Sequence, residues 1–207
     1  MTTNRGLNHI VFLAAVSALL FLITIGTGTA SDPPKQGLSV PKPTARDDVA
    51  AAAAFKAIVP VLRHPRCMNC HSAGDYPRQG DDSHRHTMRI RRGSNGHGAN
   101  VVWCSTCHQD HNLDGLHLPP GAPGWHLPSP EMPMIWEGLS EHDLCELLKD
   151  PKQNGGRNVE QIVEHMHTPL VLWGWSPGEG RTPVPTPQKD FLENVDAWAS
   201  KGLGCPK

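Results

Sequence analysis

Apolar and polar positions along the chain change rhythm several times. Residues Ile10 to Ile25 form a 16-residue stretch without a charge, preceded by Arg5 and followed by the small residues Gly28, Thr29 and Ala30. A basic head, an apolar middle and a small-residue end make the pattern of a secretory signal peptide over residues 1–30. At 1.5 Å per residue the stretch reaches only about 24 Å, short of a ~30 Å hydrocarbon core. Cleavage near Ala30 is therefore expected, with membrane contact only if the segment stays attached as an anchor. Residues 31–46 carry four prolines and no periodicity, which reads as a Pro-rich tether.

Helical rhythm begins at Asp47. An acidic first turn, an alanine run and Phe55, Ile58 and Val59 at helical spacing predict a helix from about Asp48 to Val59, with Pro60 closing it. Ser140 followed by Asp143 resembles a capping box, and Leu144, Leu147 and Leu148 keep one face apolar, so a helix is expected to about Lys149. Asn158 can cap a short helix through Val159, Ile162, Val163 and Met166. Gln188 to Ser200 reads as a final helix with Phe191, Leu192, Val195 and Trp198 inward. Residues 169–187 read as loop, and no segment alternates convincingly as a strand. The expected fold class is mainly α with extensive irregular loops and little or no β, as a single domain over residues 47–207.

Composition changes the picture by showing how little core this chain has. It holds 20 Gly and 20 Pro in 207 residues, 5% aromatic residues and one Tyr. A large sheet is excluded, because strands favour β-branched and aromatic side chains and keep proline out of their interiors. Nineteen basic against twenty acidic residues, a net charge of −1, argue against nucleic acid as a partner. A loop-rich chain with a thin core needs staples or a cofactor. Thirteen His and six Cys are the surplus.

Four of those cysteines fall into two copies of one motif: Cys67-Met68-Asn69-Cys70-His71 and Cys104-Ser105-Thr106-Cys107-His108. C-x-x-C-H is the covalent attachment signature of c-type haem. Two thiols three positions apart on one helical turn reach two vinyl groups of a porphyrin edge, and the next His points at the iron. The expected cofactors are therefore two covalently bound c-type haems, held through Cys67, Cys70, Cys104 and Cys107, with His71 and His108 as proximal iron ligands. One structural zinc on the four thiolates is the competing chemistry. Against it stand the 33 residues from 71 to 103 between the knuckles, longer than common zinc ribbons, and the His that follows each knuckle. The 37-residue step from His71 to His108 is short for two separate haem domains, so the two haems are expected to share one domain at close range.

Haem iron takes His or Met in the sixth position. The inter-motif loop offers His84, His86, Met88 and His97 to the first haem, while Met132, Met134, His126 and His165 are the candidates for the second. His86 and Met134 are the preferred distal pair, with His84 and His165 as alternatives. Arg85, Arg89, Arg91 and Arg92 form a cationic run that is either a solvated loop face or a set of haem-propionate partners. The tryptophans at 103, 125, 136, 173 and 175 read first as core filler. Cys145 and Cys205 are left over. In an oxidising compartment they are expected to pair, joining the Ser140–Lys149 helix to the C-terminal tail, with two free thiols as the alternative.

With these residues placed, the chain resembles a family of small bacterial dihaem c-type cytochromes, often labelled as an isoquinoline oxidoreductase subunit. The resemblance covers nearly all of the chain after residue 30. It rests on CMNCH, GDYPRQGDDSHRH, RIRRG, WCSTCHQ, PGAPGWHLP, MIWEGLS, LCELLKDPKQNGGR and LVLWGWSPGEGR. It implies that His84, His86, Met134 and His165, which fall in or beside those strings, are the iron-ligand candidates. It also implies coupling to a molybdenum hydroxylase as electron donor. Gly124 stands where a polar residue is expected, which leaves the role of His126 open.

The expected function is that of an exported, periplasmic relay passing single electrons between a donor and an acceptor, with redox proteins as its partners. A catalytic dihaem enzyme, a peroxidase or small-oxyanion reductase, is the alternative. That chemistry needs one iron with an open position, and the chain has ligand candidates for both.

Overall fold

A computed structural model describes residues 45–99 and 102–207. The expected signal peptide, and the tether as far as Thr44, lie outside the described residues.

Asp47 starts the first helix, its carboxylate accepting from Ala50 N at 3.0 Å. The helix, α1 (Asp48–Leu62), runs past Pro60 rather than closing there. Proline removes one N–H and crowds the preceding turn. Pro60 is exposed, however, while Val61 and Leu62 beyond it are buried, so packing carries the helix two residues further. Pro65 then opens a single-turn helix, α2 (Pro65–Met68), capped by His64 Nδ1.

Three further helices appear where the apolar spacing predicts them. Ser140 caps α3 (Glu141–Lys149), and Asn158 with Gln161 forms a full capping box on α4 (Val159–Met166). The segment 169–187, expected as loop, contains a short helix α5 (Pro169–Leu172) and a tight turn at Trp173–Trp175. Pro169 sits at the start of α5, where its missing N–H costs nothing. The last helix, α6 (Gln188–Ser200), has the predicted bounds.

α1 and α6 lie along one another, with α3 and α4 against them. Phe55 and Trp198 meet at 5.1 Å between ring centroids, and Leu144, Leu148, Ile162, Val163, Phe191 and Val195 fill the space around them. Cys145 and Cys205 form a disulfide, with Cα atoms 5.6 Å apart, that fastens the C-terminal tail to α3. Gly204, between tail and α1, is required by space: a Cβ there would lie 2.3 Å from the Asp48 carbonyl oxygen.

The β content is two ladders of two-residue strands: β1 (Arg78–Gln79) against β2 (His84–Arg85), and β3 (Gly98–Ala99) against β4 (Val102–Trp103), both antiparallel. Strands this short carry no alternation to read. The described residues thus form one mainly helical unit with little sheet. Residues 69–99 and 102–139 are irregular apart from these ladders and the short turns at Thr87–Arg89 and Cys104–Thr106. No helix among the described residues is long and apolar enough to cross a membrane.

Candidate functional site

Each CxxCH motif winds into one turn, closed in the same way. The His71 N–H donates to the Cys67 carbonyl at 3.2 Å, and the His108 N–H to the Cys104 carbonyl at 2.9 Å. The imidazoles are then fixed from behind. His71 Nδ1–H donates to the Met134 carbonyl at 3.0 Å, and His108 Nδ1–H to the Pro120 carbonyl at 2.7 Å. A carbonyl only accepts, so the proton sits on Nδ1 and the Nε2 lone pair is free, which is the metal-ligand form of histidine. A tryptophan lies flat on each ring: Trp136 on His71 at 3.6 Å and 3°, Trp125 on His108 at 4.4 Å and 5°.

The clamp on His71 is two-sided, because the Trp136 N–H also donates to the His71 carbonyl at 2.9 Å. Met134, between these contacts, has φ 46°. A non-glycine residue in the left-handed region costs roughly 1–3 kcal/mol and persists only where its surroundings fix it. Desolvation of the ring holds His71 at about 3, well below its ordinary value, the Met134 carbonyl restoring only part of the loss. Desolvation, helped by the charge of Arg157, holds His165 at about 4. His108 is also shifted down, chiefly by desolvation. The rings of His71 and His165 are therefore neutral at physiological pH.

Two cavities open beside the motifs. The first, about 390 Å³, is lined by Cys67, Cys70, His71, Met134, Trp136 and His165 among others. The second, about 710 Å³, is lined by Cys104, Cys107, His108, His84 and His86 among others. Arg66, Cys70, Trp125, His126, Leu127 and Trp173 line both. These six side chains border both cavities, and Trp125 meets Trp173 edge-on among them at 4.9 Å.

The distal candidates fall to the opposite motifs from those expected. His86, expected near the first motif, stands with its ring centroid 6.2 Å from that of His108 in the second. Its Nδ1–H donates to the Thr87 carbonyl at 2.8 Å, which leaves its Nε2 free as well. His84 borders the same cavity, its Nδ1 hydrogen-bonded to Asp82 at 2.6 Å. Met134 and His165, expected near the second motif, line the first cavity instead. The reason is topological: β1 and β2 fold the 78–86 segment across towards residues 104–108, and the 134–136 segment returns to clamp His71. Met88 reaches only the mouth of the second cavity, 74% exposed, while His97 and His126 border the first with ring centroids 5.2 Å apart.

The cationic run does not line either cavity. Arg92 is buried with its guanidinium on the Pro128 and Gly74 carbonyls, Arg91 pairs with Asp75, and Arg85 lies over the Tyr76 ring. The arginines that do face the cavities are Arg66, Arg78, Arg157 and Arg181. Nothing in the sequence marks them, since Arg78 and Arg157 stand in polar loop strings and Arg66 simply precedes a motif.

The chemistry of the lining can be weighed against the two expected cofactors. Among the described residues five buried polar side-chain atoms lack a hydrogen-bond partner, and four belong to cavity residues: Arg66 Nε, Arg78 Nε, Trp136 Nε1 and Asn69 Oδ1. Three of these are donors, suited to the carboxylates of a bound group; a buried unpaired group of this kind calls for such a partner. Desolvation pushes the Cys67 thiol up to about 12 and Cys70 to about 11, so these sulfurs stay protonated. Among the described residues no three His, Cys, Asp or Glu side chains gather as a metal cluster, so the four cysteines do not form a zinc tetrad. The residues fit haem. Comparison with family models, with curated proteins and with solved structures finds no match for this chain.

Proposed function

We propose that the chain is a dihaem c-type cytochrome, exported and acting as an electron relay between redox proteins, the donor being a molybdenum hydroxylase by the family resemblance. The observation that carries this reading is the pair His86 and His108. Two imidazoles with one metal ion between them, each bound through Nε2 at about 2 Å, would hold their ring centroids roughly 6 Å apart. His86 and His108 stand at 6.2 Å with both Nε2 atoms free.

Bound haem supplies one-electron redox chemistry, and the protein sets how readily it is used. Cys67 and Cys70 attach one group and Cys104 and Cys107 the other. His71 and His108 ligate from positions fixed by the Met134 and Pro120 carbonyls, which also raise their basicity. His86 would be the second protein ligand at the second site. At the first site His165 is the better candidate than Met134, whose carbonyl lies behind His71, on the side away from Nε2. Trp136 and Trp125 cover the two motif histidines and keep water from them. With His71 and His165 available to one iron and His108 and His86 to the other, protein side chains would hold both irons, which favours a relay over a catalyst.

The test is to produce the chain in a host with cytochrome c maturation and to record ferric and ferrous spectra with and without carbon monoxide. Two covalent haems per chain, both six-coordinate and unreactive to carbon monoxide, are expected. A colourless protein overturns the reading. Carbon monoxide or peroxide binding at one site turns it into that of a catalytic dihaem enzyme.

A further inference from the structure

Arg66 is the one arginine or lysine among the described residues that lines both cavities. It directly precedes Cys67 in α2, and its side chain is 2% exposed. Its guanidinium packs 5.7 Å from the ring of Trp173, which also lines both cavities. One terminal nitrogen donates to Asp81, whose other oxygen accepts from Thr182 N at 3.0 Å and Thr182 Oγ1 at 2.6 Å. The Nε–H is buried without a partner.

The two members of this ion pair stand in different surroundings. Arginine stays charged at every working pH. The Arg66 cation is enclosed, whereas the Asp81 side chain is 43% exposed and water screens its charge. Asp81 borders only the second cavity, so the field of the pair is net positive in the first and, because water screens the carboxylate, stays positive in the second. A redox site that takes up an electron loses one positive charge, so a fixed cation beside it favours the reduced form, and fixed charge is one of the levers that set such potentials.

Resting on the dihaem reading, we propose that Arg66 is a positioning residue for charge that serves both sites at once. Its single buried cation raises the two reduction potentials together, and Asp81 moderates the effect.

The test uses the full chain with both haems attached and reads potentials by spectroelectrochemical titration, after counting covalent haems per chain. In Arg66→Gln both potentials fall, and Arg66→Lys, which keeps the charge, stays near the parent. Asp81→Asn raises both, and it decides the matter if Arg66→Gln does not accumulate as holoprotein. Two haems with only one potential lowered, or neither, overturn the shared role and leave the dihaem reading standing. Fewer than two haems in the parent chain overturn the dihaem reading, and the inference goes with it.

Discussion

His86 and His108 stand 6.2 Å apart between ring centroids, inclined at 66°, each with Nδ1 bonded to a backbone carbonyl and Nε2 free. One loop and one motif turn, 22 positions apart in sequence, thus present two ligand-ready nitrogens to the same cavity. His86→Ala is expected to open one of the two sites: half of the haem becomes high-spin and its ferrous form binds carbon monoxide. His84→Ala should leave the spectrum unchanged, because the His84 side chain is 47% exposed at the cavity rim, whereas it is His86 that stands against the His108 ring. The reverse pattern would move the ligand from His86 to His84.

The first site separates its two candidates in the same way. His165→Ala is expected to expose the iron of the first site to carbon monoxide. Met134→Leu should not, since the clamp on His71 uses the Met134 carbonyl rather than its sulfur. The ferric parent should accordingly lack the weak long-wavelength sulfur-to-iron band. Finding that band, and losing it in Met134→Leu, would assign the thioether instead.

Stability should fall as the solution is acidified, in a window set by the depressed histidines. His71 and His165 are held at about 3 and about 4, while an unfolded histidine titrates near 6.5. Between about pH 6.5 and those folded values the unfolded chain binds protons that the folded chain excludes, so unfolding free energy declines as pH falls. Above that window the two groups contribute no slope. Denaturant unfolding across a pH series should show this, and His165→Asn should remove up to one proton from the slope.

The Cys145–Cys205 disulfide closes a loop with a sequence separation of 60. In the chain-entropy model such a closure contributes about 4 kcal/mol. The double variant Cys145→Ser with Cys205→Ser is expected to lose stability of that order in denaturant unfolding, with the haem spectrum unchanged because the bond belongs to the helical frame.

Legibility in the sequence divides along the same line as the fold. The frame was readable because α3, α4 and α6 combine a cap or an apolar stripe with a clear end, and packing needs little beyond that. α1 ran longer than expected only because the burial of Val61 and Leu62 outweighs Pro60, a tertiary effect that no local signal carries. At the candidate site the two CxxCH copies stood out because covalent attachment demands a fixed spacing. The grouping of His86 with His108, and of Met134 and His165 with His71, depends on how residues 72–139 cross over, and that stretch has almost no periodicity. The Met134 and Pro120 carbonyls were invisible for a simpler reason: every residue has one. Arg66 could not be told from other arginines, since its role comes from enclosure.

Six side chains, Arg66, Cys70, Trp125, His126, Leu127 and Trp173, line both cavities. A substitution at His84 or Arg157 changes the lining of one cavity, but any change among these six side chains changes both. They are the part of the lining that cannot be varied for one cavity alone.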